Sequence, residues 1–385
     1  MARQHIETII ASKYDSCIFL ALDWAKAFDN ISAEGLLTAL RRFGLSHHIV
    51  QMVAEIYRDR KFVVADSGHI SQEYAQSSGI SQGCPLSPFL FSILMSILIH
   101  DAKLKLQADL EVSAFETLKV HDILYADDTL LIAQSKAVIE SYMQCIGECG
   151  KQYGMVFNRD KLECMNIRCD VELHNEVGDI VQRKDSLKYL GSILAADGHS
   201  EQIVASRLGM ATQEFFALAK YLQHAAVSNK RKYHIYEACV LSKLMYGLES
   251  IVLSSASLRK INGFHVSCCR KILRISASYI SRVSNKYIHQ QLDTWQLSTK
   301  LLQRQMLFMG TIARSEIDIL RNSVFKPGSL ELIVRSNRRR GRPRTEWSSF
   351  VWKHCCEAAG HDIEQNIRNK SKWTRILKEY CKDVA

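Results

Sequence analysis

The spacing of apolar positions changes along the chain. Residues 3–13 put Ile6, Ile9 and Ile10 at helical spacing and predict an amphipathic helix. Cys17-Ile-Phe-Leu-Ala-Leu-Asp23 is then a continuous apolar run ending in an acid, the pattern of a buried strand with a carboxylate at its C-terminal end. Ser32 stands where it would cap a helix from Ala33 to Phe43, whose apolar face is Leu36, Leu37 and Leu40. After a break at Gly44, a second helix is predicted from Ser46 to Arg58. Lys61 to Asp66 and Ile70 to Gln76 flank Ser67-Gly68 and read as a hairpin. A polar, Gly- and Pro-containing loop from Gly79 to Pro88 opens into an apolar helix predicted from Phe89 to about Lys105. Free backbone amides at that helix start would face whatever the loop binds.

In His121–Ala133, apolar residues lie on both sides of Tyr125-Ala-Asp-Asp128, which predicts strand, tight turn and strand with two acids at the tip. Ser135 would cap a helix to about Tyr153. A strand from Leu162 to Ile167 and a strand and turn within Leu187–Leu194 follow. Beyond residue 200 the pattern is helical, over roughly 200–223, 229–246, 257–275 and 295–315, with no internal repeat.

At 385 residues, two or three units are expected, and 47% hydrophobic with 23% charged residues marks a globular chain. Only four prolines accompany these patterns, so helix should dominate. Charge is uneven. Residues 1–200 hold 19 Lys and Arg against 26 Asp and Glu, a net of −7, whereas residues 201–385 hold 31 against 14, a net of +17. That asymmetry suggests a polyanion partner for the second part and an acidic, metal-binding site in the first. The twelve cysteines include the adjacent pairs Cys268-Cys269 and Cys355-Cys356 but no paired Cys-x-x-Cys units, so reduced, mostly buried thiols are expected rather than zinc ligands. The N-terminal residues are too polar for a signal peptide, and the apolar run Phe89–Ile99 is too short to span a bilayer. A soluble protein of nucleus and cytoplasm, without a membrane partner, is the expectation.

Adjacent carboxylates repel, and each rises in pKa unless a cation stands among them; Mg²⁺ with oxygen ligands suits such a pair. Taken alone, Asp127-Asp128 is an ordinary hydrophilic turn. Four further stretches change that reading. Leu22-Asp-Trp-Ala-Lys-Ala-Phe-Asp29 resembles motif A of the reverse transcriptases, Gln82-Gly-Cys-Pro-Leu-Ser-Pro88 resembles motif B, and Tyr125-Ala-Asp-Asp128 resembles motif C. Asn158 to Lys161 and Leu187-Lys-Tyr-Leu-Gly191 look like motifs D and E. Their order and wording are those of non-LTR (LINE-type) retrotransposons, and the resemblance covers nearly the whole chain.

The resemblance implies an α+β fold: a right-hand polymerase palm over residues 1–195, with an antiparallel sheet and helices on one face. A helical thumb over 196–325 and a basic, Trp-containing C-terminal region over 326–385 would follow. It implies an RNA-directed DNA polymerase that joins deoxynucleotides to a primer 3′-hydroxyl on an RNA template. Two Mg²⁺, with Mn²⁺ as an alternative, would be held by Asp23, Asp127 and Asp128. Phe28 would lie beneath the incoming sugar, with a core aromatic as its plain alternative. Gln82 and Gly83 would lie against the nucleotide, and Lys161 would assist pyrophosphate departure or be a solvated lysine. Asp29 reads as a local helix-capping or loop-fixing residue rather than a metal ligand. Tyr189 and Gly191 would grip the primer strand.

Six arginines between Arg335 and Arg344 could hold several phosphates of primer or target DNA. Among them Arg338, Arg339, Arg340, Arg342 and Arg344 include an Arg-Gly-Arg-Pro core like that of minor-groove hooks. Nuclear import or a solvated linker explains the same run. Only 22 residues precede Asp23, whereas the family places its fingers upstream of motif A. The chain is therefore expected to be the C-terminal part of a longer element, without fingers or endonuclease. A catalytically silent nucleic-acid-binding remnant is the second reading.

Overall fold

A computed structural model describes every residue except Lys13, Ala225, 334–344 and Ala385. Helix α1 (Ala2–Ala11) leads into strand β1 (Cys17–Leu22), then α2 (Ala27–Asn30), α3 (Ala33–Phe43) and α4 (His47–Tyr57). Four two-residue strands follow: β2 (Lys61–Phe62), β3 (Ala65–Asp66), β4 (His69–Ile70) and β5 (Tyr74–Ala75). Next come α5 (Ser87–Asp109), β6 (Val120–Tyr125), β7 (Asp128–Ala133), α6 (Lys136–Gln152), β8 (Glu163–Ile167), β9 (Gln182–Arg183), β10 (Ser186–Tyr189) and β11 (Ser192–Ala195). The chain divides into two compact units, Tyr14–Leu190 and Met1–Lys13 with Gly191–Ala385.

The first unit is α+β. Its five-stranded sheet has the order β6-β7-β1-β8-β9 and is antiparallel except for the short β8–β9 pair, which is parallel. Five of the six residues of β1 and five of β7 are buried. Both strands therefore read as unbroken apolar runs rather than as alternating ones. On one face Ile18, Leu20, Leu131 and Cys164 join a core built from α3, α5 and α6, with Leu40, Leu94, Leu98, Tyr142 and Ile146 at its centre. Local signals set the helix ends. Gly35 N donates to Ser32 Oγ at 3.0 Å and Val138 N to Ser135 Oγ at 3.5 Å, so both serines cap as their positions predict. Gly44 closes α3 at φ 95°, a left-handed value open to glycine.

The second unit is helical after β11: α7 (Glu201–Ala217), α8 (Ala219–His224), α9 (Asn229–Tyr236), a π-helical segment over Glu237–Leu241, α10 (Ser242–Met245) and α11 (Ser255–Leu273). Then follow α12 (Ser278–Ser281), α13 (Asn285–Gln291), α14 (Leu297–Ala313), α15 (Asp318–Arg321), α16 (Trp347–Ala359), α17 (Ile363–Arg368) and α18 (Lys370–Val384). One core joins α7, α9 and α11 around Phe215, Tyr236, Leu244 and Cys269. Another joins α14, α16 and α18 around Met306, Val351 and Trp373. All twelve cysteines are free thiols, and burial raises the Cys17 and Cys268 thiols to about 12. Among the described residues, no helix is long and apolar enough to cross a membrane.

Candidate active site

Asp23 stands one residue beyond β1. The register pairs Leu22 with Thr129, so Asp23 and Asp128 lie at adjoining strand ends. Asp127 and Ala126 form the two-residue turn between Tyr125 and Asp128, which pair across β6–β7. Ala126 adopts φ 51° to close it. The three acids thus share one edge of the sheet, because a buried strand and a tight hairpin both end there. Partial burial, then the charges of Asp127 and Asp23, hold the Asp128 carboxyl above its usual range.

The stretch after β1 is tied down from the far side of the sequence. Asn158 N donates to Asp23 O at 2.8 Å and Ala25 N to Val156 O at 2.9 Å. The Trp24 ring lies 4.5 Å from that of Phe157. This clamp brings Lys161 over, with its Nζ 3.5 Å from Asp23 Oδ2. Both side chains are partly exposed, so the contact is a weak, screened one.

The loop before α5 is zipped to α2. Ile80 N donates to Phe28 O at 2.8 Å, Gly79 N to Ile31 O at 2.7 Å, and Ser78 Oγ to Asp29 O at 2.9 Å. Gly79 has φ +88°, and a Cβ there would lie 2.7 Å from Asp29 O. At the end of this zip, Gln82 Nε2 donates to Asp29 Oδ1 at 3.3 Å. Gln82 and Gly83 are exposed, and Gly83 turns the loop at φ +84° with no neighbour to a Cβ. Phe28 is partly buried, stacked on Phe91 with ring centroids 4.5 Å apart. The Tyr189 hydroxyl donates to Ile123 O at 3.0 Å. Burial, then the Asp128 charge, pushes it up to about 12, so it stays a neutral donor.

Gly191 belongs to the second unit, where Arg207 Nη2 donates to its carbonyl at 2.5 Å. The arginines at 338, 339, 340, 342 and 344 lie outside the described residues. The Asn158–Asp23 and Ser78–Asp29 hydrogen bonds join stretches far apart in the chain and are not evident from local sequence patterns. The Asn-x-x-Lys spacing and the glycine at 79 were the signals available for them.

Oxygen-rich carboxylates are the donor chemistry a hard divalent cation prefers, and like charges raising Asp128 mark a place where a cation would be welcome. The three acids are within electrostatic reach rather than in contact. Among the described residues, no three His, Cys, Asp or Glu side chains converge into a ready-made metal cage.

Residues 2–194, half of the chain, match the family model described as reverse transcriptase (RNA-dependent DNA polymerase). The chain belongs to the reverse transcriptase family. Similar curated proteins include the Pol polyprotein of the R2 retrotransposable element of Popillia japonica, 22% identical over 71% of this chain and 44% of that protein. The RNA-directed DNA polymerase of the mobile element jockey of Drosophila funebris is 25% identical over 75% of this chain and 33% of that protein. Both relatives are proteins of retrotransposable or mobile elements. The chain spans less than half the length of either one. Among solved structures, an apo telomerase from Candida tropicalis aligns with a TM-score of 0.37 at 14% identity, over 51% of this chain and 38% of that one.

Proposed function

We propose that this chain carries the polymerase centre of a retrotransposon reverse transcriptase, extending a primer 3′-hydroxyl with deoxynucleotides on an RNA template. The carrying observation is the family match over residues 2–194, together with Asp23, Asp127 and Asp128 at one sheet edge. In this reading the first unit is the palm and the helices after residue 195 are the thumb. Asp23, Asp127 and Asp128 would hold two divalent ions, Mg²⁺ or Mn²⁺, which when bound supply charge stabilisation at the reacting phosphate.

This chain's own residues do the rest. The hairpin turn and the Asn158 clamp fix where the acids stand. Lys161, whose Nζ lies 3.5 Å from Asp23 Oδ2, would neutralise or protonate the departing pyrophosphate. Gln82, tethered by Asp29, and Gly83 form an open loop against which a nucleotide can lie. Phe28, propped by Phe91, presents a ring whose bulk would disfavour a 2′-hydroxyl. Tyr189 ties β10 to β6 through its hydrogen bond to Ile123 O.

Extension of a labelled DNA primer on an RNA template, with Mg²⁺ and deoxynucleotides, tests the proposal beside an Asp127→Asn control. Extension that the control abolishes is expected. Primer–template binding without extension at any Mg²⁺ concentration would leave a nucleic-acid-binding remnant instead.

A further inference from the structure

Between α11 and α14 the second unit carries a segment that the polymerase reading leaves unused. Arg270, near the end of α11, is only 6% exposed, yet among the described residues it forms no ion pair with a carboxylate. Its guanidinium instead donates to four acceptors of one short stretch. Nη1 reaches Ser276 O at 3.0 Å and Ser281 Oγ at 3.4 Å, and Nη2 reaches Val283 O at 2.7 Å and Asn285 Oδ1 at 3.0 Å. A buried guanidinium with its fork filled in this way fixes the backbone around it. Ser284 then caps α13 through Tyr287 N at 3.2 Å, and the fully buried Ile288 anchors that helix to the core.

What this scaffold displays is aromatic and basic. Tyr279 is 76% exposed, Ile280 63% and Tyr287 46%. Arg282 and Lys286 are exposed beside them and form no ion pair among the described residues. Residues 250–292 contain seven Lys or Arg and no Asp or Glu. A fold that spends a buried arginine on holding two tyrosines in water has a use for their faces. Phosphate complements the charge, and unpaired bases complement the rings; a duplex keeps its base faces covered.

We propose that the segment 276–287 is a docking platform for single-stranded nucleic acid, on which Tyr279 and Tyr287 stack bases while Arg282 and Lys286 meet phosphates. The proposal deepens the polymerase reading, on which it rests for the class of ligand. Arg270 acts as the positioning residue beneath the platform.

Fluorescence anisotropy of labelled oligo(U) and oligo(dT), against a blunt duplex of equal length, tests it over a range of salt. Tyr279→Ala with Tyr287→Ala should weaken single-strand binding by about tenfold or more, leaving the salt slope and duplex affinity unchanged. Tyr279→Phe with Tyr287→Phe should keep the affinity, since the rings remain. Arg282→Ala with Lys286→Ala should flatten the salt slope by about 1 to 2. Single-strand affinity unmoved by the alanine pair, with the fold intact by circular dichroism, would overturn the proposal. So would an equal loss on the duplex. Primer extension by the same preparations separates the two readings. A wild-type chain that extends primers while the alanine pair binds normally removes only the platform. A wild-type chain that extends nothing, but whose alanine pair loses single strands, removes only the polymerase.

Discussion

Lys161 Nζ lies 3.5 Å from Asp23 Oδ2, across 138 positions of sequence. The hydrogen bond from Asn158 N to Asp23 O makes this neighbourhood, because it fixes the start of the Lys161 turn against the end of β1. Lys161→Ala should therefore slow the chemical step of primer extension by about a hundredfold, within the range for proton-transfer groups. Primer–template affinity should hardly change. Single-turnover rates against pH check this, and a rate equal to wild type would remove Lys161 from the reaction.

Asp128 is held above its usual pKa by partial burial and by Asp127 and Asp23, so its ionised form is disfavoured in the fold. Asp128→Asn should raise the metal-free Tm while lowering extension. Mg²⁺ should raise the wild-type Tm and leave that of Asp127→Asn unmoved, because only a site that binds gains about RT ln(1 + [L]/Kd). EDTA should reverse the shift. Equal Mg²⁺ response in both proteins would place the ion elsewhere.

Gly79 and Gly83 both sit at positive φ, but a Cβ at Gly79 would lie 2.7 Å from Asp29 O and one at Gly83 would meet nothing within 4 Å. Gly83→Ala should cost about 1 kcal/mol of stability, the backbone strain alone. Gly79→Ala should cost about 1–2 kcal/mol more, since α2 must also shift. Urea unfolding of the two variants gives the ordering directly; equal losses would mean that the zip between loop and helix yields freely.

His265 is fully buried in the second unit, and burial, then the charges of Lys300 and His289, pushes its pKa down to about 3. Tyr236 donates or accepts at its Nδ1 at 3.1 Å, and Tyr233, His289 and Cys269 also face the ring. Unfolded histidine protonates near about 6.5. Below that pH the unfolded state binds the extra proton, so stability present above about 6.5 is lost as pH falls toward about 3. Burial and Lys300 also lower His289, which adds in the same direction. The urea midpoint at about pH 5 should lie below that at about pH 7, and His265→Phe should reduce the difference. A midpoint independent of pH would contradict the buried neutral ring.

Much of this was legible in the residues themselves. The run Cys17–Leu22 was visible as a strand because six apolar positions bounded by polar ones leave little else. Ser32 and Ser135 announced their helices, and the acids at 127 and 128 announced a turn, since capping and turning depend on atoms a few bonds apart. The order of the motif-like stretches pointed to the family that the match over residues 2–194 confirms. The single sequence could not give partners chosen across the fold. That Tyr189 spends its hydroxyl on Ile123 O, that Phe28 leans on Phe91, that β9 runs parallel to β8, and that Arg270 gathers four acceptors between 276 and 285 all depend on which backbones come within reach. Spacing along a chain fixes which face a side chain takes within its own element. Only packing, which closes long loops and leaves each buried donor to find an acceptor, decides what it touches.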